Sequence, residues 1–222
     1  MLKRAFDLLL ATVAAVVLVI PCLLVGLAVR MTSAGPALHW SDRVGRHGRI
    51  FKMPKFRSMR IGTPAVATHL LDDPERYLTS IGSFLRKWSL DELPQIWSIL
   101  KGDMSFVGPR PVLCNEVDLI ALRTARGIYK LAPGLTGWAQ INGRDELLIS
   151  EKVAFDLEYL QRQRFWFDVQ ILCLTLLRVV TSDGVRHGYI HWARGTVVGK
   201  PFALPYSLHG GWMPQAGGGG AG

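Results

Sequence analysis

One apolar run near the N-terminus limits what this chain can fold into. From Leu8 to Val29 the residues are apolar except for Thr12, Pro21 and Gly26. A helix of that length is roughly 33 Å long at about 1.5 Å per residue, enough to cross the hydrocarbon core of a bilayer. A cleavable signal peptide is not expected, because the run is too long, Asp7 stands at its start and no clear cleavage site follows. The run predicts a membrane-associated helix.

Basic residues flank this run on both sides, which bears on its topology. Lys3 and Arg4 precede it, and eight lysines and arginines lie between residues 30 and 60. A single spanning helix, with Pro21 as a tolerated kink, would place one basic flank on the wrong side under the positive-inside rule. A helix that breaks at Pro21 and leaves on its side of entry satisfies the rule, since each half is shorter than the roughly 30 Å hydrocarbon core. The residues alone leave both arrangements open.

Charge and cysteine content narrow the class of protein. The net charge of +9 favours anionic partners, which include nucleic acid, anionic lipid and phosphorylated substrates. The basic segment 31–65 is predicted to contain a short hairpin with a glycine turn at Gly45 or Gly48. Its charges fit a solvated face, a lipid-surface patch or a phosphate site, and its position directly after the apolar run favours the lipid patch. The three cysteines lie far apart without disulfide or metal spacing, which indicates a reducing, cytosolic side.

Two adjacent carboxylates, Asp91 and Glu92, stand just before a proline at position 94. Proline is tolerated only in the first helical turn, so a helix is predicted to begin here with Asp91 as its N-cap. The rival frame places the cap at Ser89, with Glu92 completing a capping box. The helix is predicted to end at Lys101-Gly102, and its buried face to comprise Ile96, Trp97, Ile99 and Leu100.

The surroundings of this carboxylate pair indicate chemistry. Acidic residues at a helix start are common and by themselves need no functional explanation. Here, however, Arg86 lies just upstream, and Arg110 lies between two prolines just downstream. A carboxylate pair flanked by fixed cations suits metal-assisted phosphoryl transfer.

Several motifs, in order along residues 1 to about 185, resemble those of the bacterial sugar transferases. These are the monotopic polyprenyl-phosphate phosphoglycosyl transferases. The motifs occupy residues 55–59, 85–95, 100–105, 107–111 and 133–144. The resemblance implies a catalytic Asp-Glu dyad, Mg²⁺, a nucleotide-diphosphate sugar donor and a membrane-embedded polyprenyl phosphate acceptor. It also implies the re-entrant form of the first helix, although Ile20 stands before Pro21 where serine is expected.

Roles for individual residues follow from the dyad and the resemblance together. We expect Asp91 to attack the sugar-linked phosphorus and form an aspartyl-phosphosugar, and Glu92 to hold Mg²⁺. Direct transfer without a covalent intermediate is the alternative. The candidate phosphate-binding residues are Lys55, Arg57, Arg86, Arg110 and Arg144.

The expected fold is an α-dominated α/β protein with a single compact domain. Residues 1–30 form the re-entrant membrane helix with its break at Pro21, 31–190 the catalytic domain and 191–222 a flexible C-terminal tail. Residues 151–164 are predicted to form an amphipathic helix. The apolar segment 165–180 fits either a buried core helix or an interfacial helix with Phe165, Trp166 and Phe167 at headgroup level, and the resemblance favours the second.

The expected function is transfer of a sugar 1-phosphate from a UDP-sugar to undecaprenyl phosphate with release of UMP. This would be the first membrane step of glycoconjugate assembly, at the bacterial inner membrane with the catalytic domain on the cytoplasmic face. The alternative is a non-enzymatic membrane-anchored protein that binds anionic lipid or nucleic acid, but no nucleic-acid-binding signature is present. The sugar, the base, the polyprenyl length and the oligomeric state, a homodimer included, stay open.

Overall fold

The apolar run forms one long helix. The structure, a computed structural model, describes residues 2–64, 66, 71–143 and 147–180. Helix α1 spans Leu2–Thr32 and continues through Pro21. Among the described residues it is the one helix long and apolar enough to cross a membrane. The expected break at Pro21 is therefore absent as an interruption of helical structure, whereas entry and exit on one side of the membrane stay a prediction.

The basic segment after α1 folds into a hairpin, as its glycines predicted. Strands β1 (Leu38–Val44) and β2 (Ile50–Phe56) pair antiparallel, with Val44 opposite Ile50. The turn between them contains His47 and Gly48 in the left-handed region, with φ of 58° and 74°. Glycine is suited to that conformation because it has no Cβ. The short strand β4 (Val112–Leu113) adds to the other edge of β1 and completes a three-stranded sheet.

A second, two-stranded sheet lies next to the candidate site. Strand β3 (Ser105–Val107) pairs parallel with β5 (Gly134–Thr136), so that Val107 lies opposite Thr136. The main chain leaves β3 directly into the segment that carries Arg110. This small parallel pair therefore joins two of the family-like motifs, 107–111 and 133–144.

Helices make up most of the remaining described structure. They are α2 (Gly82–Lys87), α3 (Ile96–Lys101), α4 (Val117–Ala125), α5 (Trp138–Ile141), α6 (Ile149–Arg162) and α7 (Phe165–Val180). The described residues form one compact unit that is mostly helical with two small sheets, as the sequence predicted. The main core contains buried side chains from α1, β2, α3, β3, α6 and α7, among them Ala11, Met53, Ile99, Val107, Tyr159 and Ile171. The predicted tail, 191–222, lies outside the described residues.

Helix α7 is amphipathic in its surroundings. Phe167 and Ile171 are buried in the main core, while Trp166 is 77% exposed and Leu176 and Leu177 also face outwards. The aromatic run 165–167 therefore does not lie together on one surface, because neighbouring residues of a helix point about 100° apart. One face of α7 therefore packs into the core, and the placement of the other face at a membrane interface stays a prediction.

Candidate functional site

The carboxylate pair lies in a tight turn of 3-10 helix rather than at an α-helix start. This turn spans Leu90–Gln95 and follows Ser89, which occupies the cap position without a side-chain capping bond. The prediction of Asp91 as N-cap is therefore wrong, and the cap position is that of the rival frame. The physical reason lies in Pro94: α3 begins only at Ile96, so the α-helix does not require the N–H group that proline lacks.

The helix that follows buries fewer apolar side chains than predicted. Ile96 and Ile99 are buried, but Trp97 is 56% exposed and thus does not belong to the inner face. Gly102 ends α3 in the left-handed conformation, with φ of 97°, as its position after Lys101 predicted.

Glu92 is held by two cations from distant parts of the chain. Lys55 Nζ, near the end of β2, donates to Glu92 Oε1 at 2.8 Å, and Arg110 Nη2 donates to the same oxygen at 3.1 Å. The side chains of Lys55 and Glu92 are only 18% and 17% exposed. Burial alone would raise the pKa of Glu92, but the charges and hydrogen bonds of Lys55 and Arg110 outweigh it and hold that pKa well below its ordinary value. Glu92 is thus an ionised anchor for both cations.

The pKa of Asp91 is shifted in the opposite direction to that of Glu92. Asp91 is buried, and burial raises its pKa above the ordinary value. Lys55 is the strongest opposing influence; the charge of Glu92 raises the pKa further, and Arg86 and Arg110 lower it. Three of the predicted phosphate-binding cations therefore act on the same carboxylate. An anion brought to Asp91 would meet those three positive charges.

The main chain that carries Arg110 is held from two sides. Arg123 Nη1, in α4, donates to the carbonyl oxygen of Arg110 at 2.8 Å, and Arg43 Nη1, in β1, donates to that of Pro111 at 3.2 Å. Burial, together with the charge of Arg110, lowers the pKa of Arg43 to about 10. The prolines on either side of Arg110 restrict the backbone further.

Two glycines allow this segment to approach strand β5. The N–H group of Gly108 donates to the Thr136 carbonyl at 2.9 Å, and that of Gly134 donates to the Pro109 carbonyl at 2.9 Å. A Cβ atom built on Gly134 would lie 2.1 Å from the backbone nitrogen of Gly108, and one on Gly108 would lie 2.3 Å from the Ala132 carbonyl oxygen. The glycine-rich motif 133–144 thus packs by its backbone against the segment that presents Arg110.

The remaining predicted residues are placed elsewhere. Arg57 Nη1 donates to the carbonyl oxygen of Ala34 at 3.3 Å, in the loop that follows α1. Arg144 lies outside the described residues. Pro21 lies within α1. The structure therefore brings together Asp91, Glu92, Lys55, Arg86 and Arg110 from the set named by sequence.

Sequence reasoning missed three residues behind the site: Arg43, Arg123 and Asp156. Arg123 and Asp156 are buried side chains on α4 and α6, joined by a salt bridge. The available signal was positional. Arg123 follows the buried Leu119 by four residues and so lies on the same face of α4, where a charged side chain needs a partner.

The donor set fits a metal ion that is shared with a substrate. Among the described residues, no group of three or more histidine, cysteine, aspartate or glutamate side chains could hold a metal. Asp91 and Glu92 supply two neighbouring carboxylates, and Mg²⁺ commonly takes one or two carboxylates together with substrate phosphates and water. Glu92 Oε1 already accepts hydrogen bonds from Lys55 and Arg110, so Glu92 would hold such an ion only together with substrate phosphates and water.

Comparison with known proteins gives a family match over most of the chain. The sequence profile of the family described as bacterial sugar transferase matches residues 1–182. The UDP-glucose:undecaprenyl-phosphate glucose-1-phosphate transferase of Escherichia coli is 43% identical over 188 residues, which cover 80% of this chain and 40% of that protein. The undecaprenyl-phosphate galactose phosphotransferase of Salmonella typhimurium is 36% identical over 200 residues, covering 82% of this chain and 41% of that protein.

Another similar protein matches this chain in length. It is the uncharacterized sugar transferase EpsL of Bacillus subtilis, 40% identical over 185 residues, which cover 83% of this chain and 90% of that protein. The chain thus spans about two fifths of the length of the Escherichia coli and Salmonella relatives and nearly all of the Bacillus one.

Proposed function

The chain belongs to the bacterial sugar transferase family, and we propose that it transfers a sugar 1-phosphate from a UDP-sugar to undecaprenyl phosphate and releases UMP. The observation that carries this proposal is the dyad: Glu92 is anchored by Lys55 and Arg110, while Asp91 is buried beside the same cations. Two relatives are named as undecaprenyl-phosphate sugar phosphotransferases, one for glucose and one for galactose. Family membership favours this enzyme over the non-enzymatic lipid-binding alternative.

In the proposed reaction, Asp91 acts as nucleophile. A carboxylate oxygen of Asp91 attacks the sugar-linked phosphorus; the bond from that phosphorus to the bridging oxygen breaks, and UMP leaves with the bonding electrons. A phosphate oxygen of the lipid then attacks the aspartyl-phosphosugar and releases the Asp91 carboxylate. The product is a polyprenyl diphosphate sugar. The buried position of Asp91 supports this role, because water is kept from the intermediate.

In the proposed reaction the cations around Asp91 bind phosphate oxygens of the substrates. Lys55, Arg86 and Arg110 all act electrostatically on Asp91, and charge-assisted hydrogen bonds to phosphate are among the stronger ones in proteins. Mg²⁺, held by Glu92 together with the substrate phosphates, would screen the diphosphate charge. The planar guanidinium of Arg110 adds a bidentate fit that an ammonium group lacks.

The contacts of α1 support a catalytic domain that lies on one membrane face. Near the start of the helix, Lys3 and Arg4 donate to carbonyls of Val107 and Ile99; near its end, Val29 packs in a cluster with Phe56. The helix of 31 residues is about 46 Å long, and both of its ends contact the same folded domain. A perpendicular span would separate them. We propose the cytoplasmic face of the inner membrane as that side.

Topology is tested by cysteine labelling. Single cysteines are placed at Leu2 and Ser33 in a background where the three native cysteines are replaced by serine. Thiol labelling should show both of them on the cytoplasmic side of the membrane. Labelling from opposite sides would establish a spanning helix and refute the one-face arrangement.

Activity is tested with the purified full chain in lipid nanodiscs that contain undecaprenyl phosphate. A panel of UDP-sugars is supplied with Mg²⁺, and UMP release is measured. At least one sugar should give turnover, Asp91→Asn should abolish it, and Asp118→Asn should not, because Asp118 is an exposed acid on α4. No UMP from any sugar, or full turnover by Asp91→Asn, would refute the proposal.

The covalent step has its own measurement. Donor without lipid should leave a sugar phosphate on the protein, visible as added mass by intact-protein mass spectrometry, and Asp91→Asn should not show it. Rapid quenching that finds no adduct on an enzyme that turns over with lipid would favour direct transfer.

A further inference from the structure

A buried ion pair lies directly behind Arg110. Arg123 Nε and Nη2 both contact Asp156 Oδ2, at 2.9 Å and 2.6 Å, and the two side chains are only 4% and 2% exposed. The pair joins α4 to α6. Neither side chain is accessible to a substrate, so the pair can act on the reaction only through other residues.

The third nitrogen of the same guanidinium reaches the catalytic segment. Arg123 Nη1 donates to the carbonyl oxygen of Arg110 at 2.8 Å, and Arg110 in turn donates through its own side chain to Glu92. A guanidinium is planar and presents its donors in a fixed geometry, so two of them fixed on Asp156 determine the direction of the third. The contacts therefore run without interruption from α6 through α4 to the dyad.

We propose that Arg123 and Asp156 are positioning residues, which hold the main chain of Arg110 so that its guanidinium stays on Glu92 and the substrate phosphate. This rests on the proposed function and adds to it a source of geometric precision. A buried ion pair is weak evidence for stability, because desolvation of both charges offsets much of their attraction. Because this pair also donates a hydrogen bond to the carbonyl oxygen of Arg110, it is better explained by the position that it gives to that residue.

The placement is specific to this segment. Arg110 lies between two prolines and shortly after strand β3, whose partner strand β5 is in backbone contact with this segment. The main chain at Arg110 therefore has few remaining degrees of freedom. The bond from Arg123 restricts the carbonyl on the side facing α4. A displacement of reacting groups by about 1 Å lowers turnover by about 100-fold.

The test replaces the pair without leaving a buried charge. Arg123→Met combined with Asp156→Leu keeps much of the volume, and such replacements of buried pairs are often tolerated or stabilising. With the full chain in nanodiscs, we expect kcat for UMP release to fall by about 10- to 100-fold while the thermal unfolding midpoint stays within a few degrees. Arg126→Met, an exposed arginine just after the same helix, is the control and should retain wild-type turnover.

A second measurement does not depend on activity. Hydrogen exchange of the peptide covering residues 105–113 should be faster in the pair variant than in wild type, with the peptides of β1 and β2 unchanged; Arg126→Met should show no such change. Wild-type turnover, or unchanged exchange in 105–113, would overturn the positioning role. A general acceleration across the protein would also overturn it, because it would mark the pair as merely structural. Absence of UMP from wild type would instead refute the proposed function, and the exchange result would still decide the positioning.

Discussion

Adding one methyl group at Gly134 should disturb the site from behind. In Gly134→Ala the new Cβ would lie 2.1 Å and 2.6 Å from the backbone nitrogen and oxygen of Gly108, and 2.3 Å from the Thr136 carbonyl oxygen. All three are backbone atoms, so no side-chain rotation can relieve the contacts. Strands β3 and β5 must move apart, and the segment leading to Arg110 moves with β3.

The size of the effect follows from these distances. Ordinary contact needs about 3.5 Å, so the closest approach is about 1.4 Å too short. Overpacking costs about 1–3 kcal/mol, and the two hydrogen bonds that join Gly108 to Thr136 and Gly134 to Pro109 contribute about 1 kcal/mol each. We expect a loss of about 3–5 kcal/mol in the free energy of unfolding. A shift of Arg110 by about 1 Å should lower turnover by about 100-fold.

The assay compares two glycines that receive the same methyl group. Gly26→Ala is the control, because the nearest atom to its new Cβ is a ring carbon of Phe56 at 3.4 Å, an ordinary contact. UMP release and thermal unfolding are measured for both variants in nanodiscs at a temperature where both are folded. Gly134→Ala should lose turnover well before it loses its fold, and Gly26→Ala should lose neither. Wild-type turnover in Gly134→Ala would refute the requirement for close backbone approach.

Three further predictions concern charge. Because burial raises the pKa of Asp91, the acid limb of the pH profile of kcat/KM should have its midpoint above pH 3.8. Lys55 lowers that pKa, so Lys55→Met should move the midpoint to higher pH. An unmoved midpoint would contradict the assignment of this limb to Asp91. The depressed pKa of Glu92 contributes stability that is present above pH 4.5 and lost as pH falls through the lower folded pKa, so Glu92→Gln should flatten acid unfolding curves in that range. Lys3→Met removes one partner of the mostly buried Asp168 and should cost about 2–3 kcal/mol, against under about 1 kcal/mol for the exposed Lys52→Met, as urea unfolding would measure.

Local patterns were sufficient for much of the architecture. The apolar run predicts helix α1 because few other structures suit an apolar segment of that length. The glycines of 45–48 predict the β1–β2 turn, and Gly102 predicts the end of α3, since each conformation depends on a residue and its immediate neighbours. Adjacent carboxylates near fixed arginines suit phosphoryl transfer, and the resemblance adds the catalytic dyad and Lys55. The structure brings Lys55, Arg86 and Arg110 to these carboxylates.

Errors arose where a local rule competed with packing. The N-cap at Asp91 assumed a regular α-helix, whereas the chain forms a 3-10 turn before Pro94 and starts the α-helix after it. Helical periodicity predicts Trp97 on the inner face of α3, but its side chain is exposed. Periodicity describes which residues share a face of a helix, and only the neighbouring elements decide which face is covered.

The sequence by itself determined the long apolar helix, the hairpin, the helix end at Gly102 and the presence of two adjacent carboxylates at positions 91 and 92. Tertiary structure alone decided that Lys55 and Arg110 meet on one oxygen of Glu92, and that Arg123 and Asp156 lie behind them. The partners in these contacts are 37, 18 and 33 positions apart in the chain. Helical and strand periods relate only near neighbours, so contacts at such separations depend on how whole elements pack. That packing also excludes water from the paired charges, which strengthens their attraction while it adds the cost of desolvating them.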